Sequence, residues 1–465
     1  MKRTAFLASA FLAGASALPA ALPLAPVDAL KPEPPAPAVA PAPAIPEVLT
    51  LDQALNYALE HNFAIRQARE RLKEQEGLIV EVRGQTLPNV SIDANYTRDD
   101  RDLDEGGVGA APAYQNWTVG IYVRQLLYSG GGVSAALDAA KTTRQAAVLD
   151  IQSVVSTVLL EVRTRFADVL LNRQRISVQE QSVALLQEQL QTVKNRFEAG
   201  SVSQFEVLTA EVALANARPA LISSRNDYRV AIDELRAVLG YQNNFVSDLK
   251  KVPEFAGELV FAPVSYDLES ALSAAKARRP ELLRLEQIRQ ANEAGVTVAR
   301  SGYLPQVNLV AGYEGVKSRS SNAFSDSPDG WTAGVSASWA IFDGARTRGK
   351  VAQARAQLNQ ARLGVSEQTL AIEVEVRRAL SSLQEAAELA EAAGKVVEQA
   401  TEALRLADVR YRNGAATQLD VLQARQALTE ASLNRLEANY RHTIAVATLR
   451  KAIAEGDTFT GDAAP

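Results

Sequence analysis

Cysteine is absent from all 465 residues, and histidine and methionine are scarce, at two and one. Disulfides and thiolate chemistry are therefore closed to the chain, and a soft-metal site has few donors to draw on. His61 and His442 lie far apart without partners at metal-ligand spacing, so no metal or other cofactor is expected. No catalytic constellation is present, and Gly130-Gly131-Gly132 lacks the Gly-Lys-Ser/Thr that completes a phosphate loop. The residues thus imply neither an enzyme nor a nucleotide-binding protein. Charge of one sign is missing too: 49 Lys and Arg stand against 54 Asp and Glu, a net −5 with no basic footprint for nucleic acid.

Proline is rare in the body of the chain, because ten of the 19 prolines lie in the first fifty residues. Met1-Lys2-Arg3 followed by AFLASAFLAGASALPAAL reads as a secretory signal over 1–29, with more than one small-residue cleavage option. Residues 30–49 form a Pro/Ala-rich linker without a core of its own. No later segment is expected to supply the roughly 20 apolar residues of a membrane-spanning helix. Lack of disulfides is compatible with export, since a large chain can bury a core without them.

What is there is written twice. Residues 50–96 realign on 267–313 at an offset of 217, matching Leu87-Pro88 to Leu304-Pro305 and Tyr96 to Tyr313. Beyond one gap the offset is 214: Trp117 falls on Trp331, Gly130 on Gly344, Gly200 on Gly414 and Val207-Leu208 on Val421-Leu422. This divides the chain into repeat one (50–240), a linker (241–266), repeat two (267–454) and a tail (455–465). Each repeat reads as a helix, two strands, a very long helix and a shorter returning helix. The first helix should run from about Leu51 to Arg83, capped by Thr50 or Asp52.

The strands alternate with period two. Val90, Ile92, Ala94 and Tyr96 interleave with polar residues, as do Trp117, Val119, Ile121 and Val123. Val307 to Tyr313 and Trp331 to Trp339 repeat the pattern. Two environments give such faces: a sheet on a protein core, or a transmembrane barrel with lipid outside and water inside. The export signal, the long polar loops at 98–116 and 314–330, and aromatics at strand ends (Tyr96, Trp117, Tyr313, Trp331, Trp339) favour the barrel, with those aromatics at the lipid interface. Four strands do not close a barrel, for which about eight is the minimum, so this reading requires a homo-oligomer.

From Val133 to Ala199 there is neither glycine nor proline, enough for a helix of roughly 100 Å. Val148, Val155, Val162, Val169, Ile176, Val183, Leu190 and Phe197 recur every seven residues, the spacing of a left-handed coiled coil. Val376, Leu383, Ala390, Val397, Leu404 and Tyr411 carry the register in repeat two, where glycines at 349, 364 and 394 make a straight helix less certain. Glycine closes each long helix, at Gly200 and Gly414. Pro219 should bend or loosen the first returning helix, and Leu259-Val260-Phe261 could form a short strand in the linker.

The paired segments RFEAGSVSQFEVLTAE (196–211) and VRYRNGAATQLDVLQAR (409–425), with TLDQAL/DLESAL and LPNV/LPQV, resemble the TolC-like outer-membrane factor family over about residues 50–454. The resemblance implies a mixed, mostly α fold: two tandem repeats, each with two transmembrane strands and a long antiparallel coiled-coil pair. It implies a homotrimer with a 12-stranded barrel in outer-membrane lipid and an α-helical tunnel across the periplasm. The chain would be the exit duct of a tripartite efflux pump or type I secretion system, docked to a periplasmic adaptor and, through it, to an inner-membrane pump. In that family acidic residues past the tip glycine ring the entrance; Asp420 matches, and Gln423, three residues on, shares its helix face. Glu206 is the counterpart of Asp420 and is placed to hydrogen-bond Tyr411. Ala199, Gly200, Ser201, Asn413, Gly414 and Ala415 are the expected adaptor-docking tips. An exported coiled-coil scaffold or adhesin, its sheets packed on each other, is the alternative.

Overall fold

The computed structural model describes residues 47–98, 115–241, 252–317 and 327–455. The signal, most of the Pro/Ala linker, the greater part of both strand-to-strand loops and the tail lie outside the described residues. The molecule is mostly helical and the elements come in order β1 (Val48–Leu49), α1 (Leu51–His61), α2 (Phe63–Gly84), β2 (Asn89–Arg98), β3 (Gln115–Tyr128), α3 (Gly132–Glu198) and α4 (Gln204–Leu239). The second half runs β4 (Glu254–Phe255), α5 (Leu268–Arg278), α6 (Pro280–Arg300), β5 (Gln306–Val316), β6 (Asp329–Ser338), α7 (Arg346–Arg412) and α8 (Gln418–Ala452).

Thr50 caps α1 in a reciprocal box with Gln53: the Gln53 amide donates to the Thr50 hydroxyl at 3.3 Å and the Thr50 amide to the Gln53 carbonyl at 3.0 Å. The helix expected over Leu51–Arg83 is in fact two, broken at Asn62. Asn62 takes an extended conformation (φ −61°, ψ 130°), and its side chain accepts from the amides of Ala64 and Ile65 while donating to the Val238 carbonyl at 2.6 Å. An offset of 217 leads to Arg279, which breaks the second pair in the same way (φ −62°, ψ 118°). Arg279 donates to the Ala452 carbonyl at 3.2 Å, and Ala452 is the counterpart of Val238. Each kink is thus tied to the last turn of its own returning helix.

α3 and α7 are each 67 residues, roughly 100 Å long. α7 runs unbroken through Gly349, Gly364 and Gly394. α4 also continues through Pro219, which lies inside the helix without ending it. On α3 the seven-residue series buries Val155, Val162, Val169 and Val183, while Phe197 near the tip is exposed. α3 meets α2, α4, α6 and α8, so it is the spine of the chain. It also contains a stretch apolar enough, by length and composition, to cross a membrane, contrary to the expectation that no later segment does.

The main core sits at mid-height, where α1 and α4 meet the Val155–Leu171 stretch of α3. A second, smaller core repeats this with α5, α8 and Ile372, Val376, Ala379 and Leu383 of α7. The linker crosses here as well: Phe255 is buried against Phe166 with ring centroids 6.0 Å apart, and Arg173 donates to the carbonyls of Phe255 and Gly257. Its strand is Glu254–Phe255, paired parallel to Val48–Leu49, and Leu259–Phe261 is not one. The remaining strands form one antiparallel sheet in the order β2-β3-β5-β6. A single chain therefore makes an open four-stranded sheet, not a closed barrel.

Candidate functional site: a two-faced sheet and the hairpin tips

The sheet sorts its side chains by parity. In register, Ile92 faces Ile121, Ile121 faces Tyr313 and Tyr313 faces Trp331; one row over, Val90, Val123, Ala311 and Ala333 align. Tyr96 pairs with Trp117 as Tyr313 pairs with Trp331, at the ends of the two hairpins nearest the long loops. Trp339 lies beyond β6 at the opposite end, its indole nitrogen donating to the Tyr303 carbonyl at 3.0 Å. Aromatics thus mark both ends of an apolar face. Nothing in the chain covers that face: Ile92 is 71%, Val335 65% and Trp331 80% exposed. Bare apolar area of this extent belongs against a membrane or a partner. Strands of about ten residues, tilted, fit the apolar band of an outer membrane.

The other face is polar and contains a fitted arrangement. Tyr122 donates to Glu314 at 2.5 Å. A Cβ at Gly312 would meet the Tyr122 ring at 2.6 Å, and one at Gly120 would meet its hydroxyl at 2.8 Å. The ring therefore lies along the sheet over two glycines, and neither position accepts a side chain without displacing it.

At the other end of the long helices the two hairpins are built alike. Gly200 (φ +71°) and Gly414 (φ +73°) take the left-handed conformation. The Ser201 amide closes on the Arg196 carbonyl and the Ala415 amide on the Arg410 carbonyl, each at 2.8 Å. The docking candidates Ala199, Gly200, Ser201, Asn413, Gly414 and Ala415 are all exposed. Asp420 and Gln423 are exposed as well, one turn past the tip.

Asp420 has a structural task. Its Oδ2 accepts from the Thr417 amide at 2.7 Å and the Thr417 hydroxyl at 2.8 Å, and its own amide donates to that hydroxyl at 3.3 Å. These bonds, with Arg410 nearby, hold its carboxyl below the usual carboxylate range. Glu206 makes no such cap. Tyr411 is buried with the Arg196 guanidinium 4.8 Å from its ring centre. Its hydroxyl has no hydrogen bond of ordinary geometry among the described residues, so the Glu206–Tyr411 bond is not formed in a single chain. Burial pushes that hydroxyl up, Arg196 opposes the shift and Glu206 reinforces it.

The sequence analysis passed over a charge reversal between the tips. Lys194 pairs with Glu211 at 2.8 Å; the counterparts Asp408 and Arg425 stand 4.0 Å apart with the signs exchanged. Desolvation holds the Arg425 guanidinium below its usual range, and it also donates to the Leu185 carbonyl of repeat one. The repeat alignment carries this signal. Among the described residues no group of His, Cys, Asp and Glu could hold a metal ion. His442 is buried against Phe261, and His61 stacks on Tyr57.

The sequence pattern of outer membrane efflux proteins matches the chain twice, over residues 54–241 and 271–455. The chain is 26% identical over 413 residues to the outer membrane efflux protein BepC of Brucella suis biovar 1 (strain 1330), covering 88% of this chain and 85% of that protein. It is 25% identical over 397 residues to the outer membrane protein TolC of Escherichia coli (strain K12), covering 81% and 76%. In fold it is similar to the Campylobacter jejuni CmeC outer membrane channel, with a TM-score of 0.75 at 17% identity, covering 87% and 85% of the two chains.

Proposed function

The chain belongs to the outer membrane efflux protein family, and from that membership we propose that it is the passive exit duct of a tripartite efflux pump or type I secretion system. Three chains of four strands close a 12-stranded barrel in the outer membrane, and their helices line a tunnel through the periplasm. The exposed hairpin tips take a periplasmic adaptor, and an inner-membrane pump beyond it supplies the energy. One observation carries the reading: a sheet apolar on one face, polar on the other and unpaired at both edges stands on helices roughly 100 Å long. The scaffold alternative would pack sheets on each other, yet this sheet leaves its apolar face bare within the chain.

At the narrow end Asp420 contributes one carboxylate per chain. Oδ2 is engaged by Thr417, which leaves Oδ1 for water or a passing cation. A ring of three such groups concentrates cations in the entrance. Asp420→Asn is expected to lower cation selectivity, read as a shifted reversal potential in a salt gradient, while Thr417→Ala retains it. An unchanged reversal potential in Asp420→Asn removes Asp420 from the pore lining. The duct itself is tested by fractionation: the protein should enter the outer membrane as a detergent-resistant trimer, and recovery as a soluble species overturns the reading.

A further inference from the structure

The two hairpins of the sheet are paired in one register. Tyr96 faces Trp117 and Asn89 faces Arg124; in repeat two Tyr313 faces Trp331 and Gln306 faces Ser338, the counterparts position by position. The strand between the hairpins is then a second kind of junction, β3 against β5, seen once per chain: Ile121 faces Tyr313, Val123 faces Ala311 and Gln125 faces Leu309. That junction ends in a bulge, where Leu127 is skipped and Tyr128 faces Val307.

The outer strands lack such a partner. Every residue of β6 is exposed and nearly every residue of β2 is, and β6 stops at Ser338. Just past that stop Ile341 and Phe342, the counterparts of Leu127 and Tyr128, are 85% and 88% exposed, the barest large apolar side chains among the described residues. An apolar edge of this kind is a template for another strand.

We infer that β6 pairs with β2 of a second copy in the register of the β3–β5 junction, which rests on the trimeric-barrel reading above. Carrying the observed pairs across by the repeat offsets sets Val335 opposite Tyr96 of the second copy, Ala337 opposite Ala94, Trp339 opposite Ile92 and Ala340 opposite Ser91. Ile341 is the bulged residue, and Phe342 falls opposite Val90. β6 extends by several residues when the copies meet, and Ile341-Phe342, irregular in one chain, becomes strand. The register also keeps parity: outward apolar residues meet outward apolar residues, and Ser336 and Ser338 meet Asn95 and Asp93 on the polar face. A slip of one residue would turn a whole strand inside out.

The cysteine-free chain makes the test clean. Within one chain β2 and β6 are separated by three strand spacings, about 14 Å, beyond the reach of a disulfide. Any link between them therefore joins two copies. The paired variants are Ala337→Cys with Ala94→Cys, and Ser336→Cys with Asn95→Cys. Wide and close pairs alternate along antiparallel strands, so one of the two has the short Cβ separation. The slipped controls are Ala337→Cys with Ile92→Cys or with Tyr96→Cys. Each variant is first checked as a trimer under reducing conditions. Mild oxidation should then link at least one of the two matched pairs into covalent trimers at least tenfold more than either control. A control that links as well as the matched pairs overturns the register while the trimer stands, as does a trimer in which no pair links. Absence of the trimer in the unmutated chain overturns the barrel reading and this register with it.

Discussion

Arg279 is the residue on which the second kink turns. Its side chain is buried and bonds Glu281 at 3.0 Å, Glu375 at 2.9 Å and the Ala452 carbonyl at 3.2 Å. Burial pushes the Glu281 carboxyl up, but the Arg279 charge and several hydrogen bonds outweigh it and hold that carboxyl below the usual range. A depressed folded-state pKa contributes stability at neutral pH that is lost as pH falls through the carboxylate range. Arg279→Met should therefore cost about 2 kcal/mol at pH 7, below the fully buried case because both carboxylates are partly exposed. The gap to the unmutated protein should close below about pH 4. Thermal unfolding in detergent at several pH values reads both effects, and a gap independent of pH would contradict the ion-pair account. Thr417→Ala removes the cap on α8, a loss of about 1 kcal/mol that should show as faster hydrogen exchange in the first turn of α8 alone.

Between whole elements, the reversed pairs at the tips govern how each helix hairpin closes. Lys194→Glu sets like charges against each other and should loosen the α3–α4 tip by less than about 1 kcal/mol, since the pair is half exposed. Adding Glu211→Lys copies the polarity of Asp408 and Arg425 and should restore it. Hydrogen exchange of the hairpin amides measures the cycle, and a double variant no better than the single would deny the pairing. Much at this scale was legible from sequence. The long glycine-free run became α3, and period-two alternation marked the faces of β2, β3, β5 and β6. The kinks were not legible, because neither Asn62 nor Arg279 breaks a helix by propensity. Each acts through a bond to a carbonyl some 170 residues away. Local hints did exist: asparagine favours a cap, and Pro280 after Arg279 favours a first turn. The β1–β4 pairing rests on two residues per strand and a long-range contact, so nothing local announced it. Thr417-x-x-Asp420 has the spacing of a capping box, which is why Asp420 is a cap as well as a pore candidate.

For the whole molecule, duplication sets the geometry. Two similar hairpins per chain and three chains give six near-equivalent places around an axis, with the differences between copies gathered near the tips. Glu206 and Asp420 show the consequence, since the same position is a free acid in one repeat and a helix cap in the other. An assembly with a polar inner sheet face and an open tunnel must conduct ions. The most direct measurement is single-channel recording of the purified full-length protein in a planar lipid bilayer. The account predicts discrete, uniform conductance steps from the detergent-resistant trimer. A trimer that inserts into the bilayer and passes no current would contradict it.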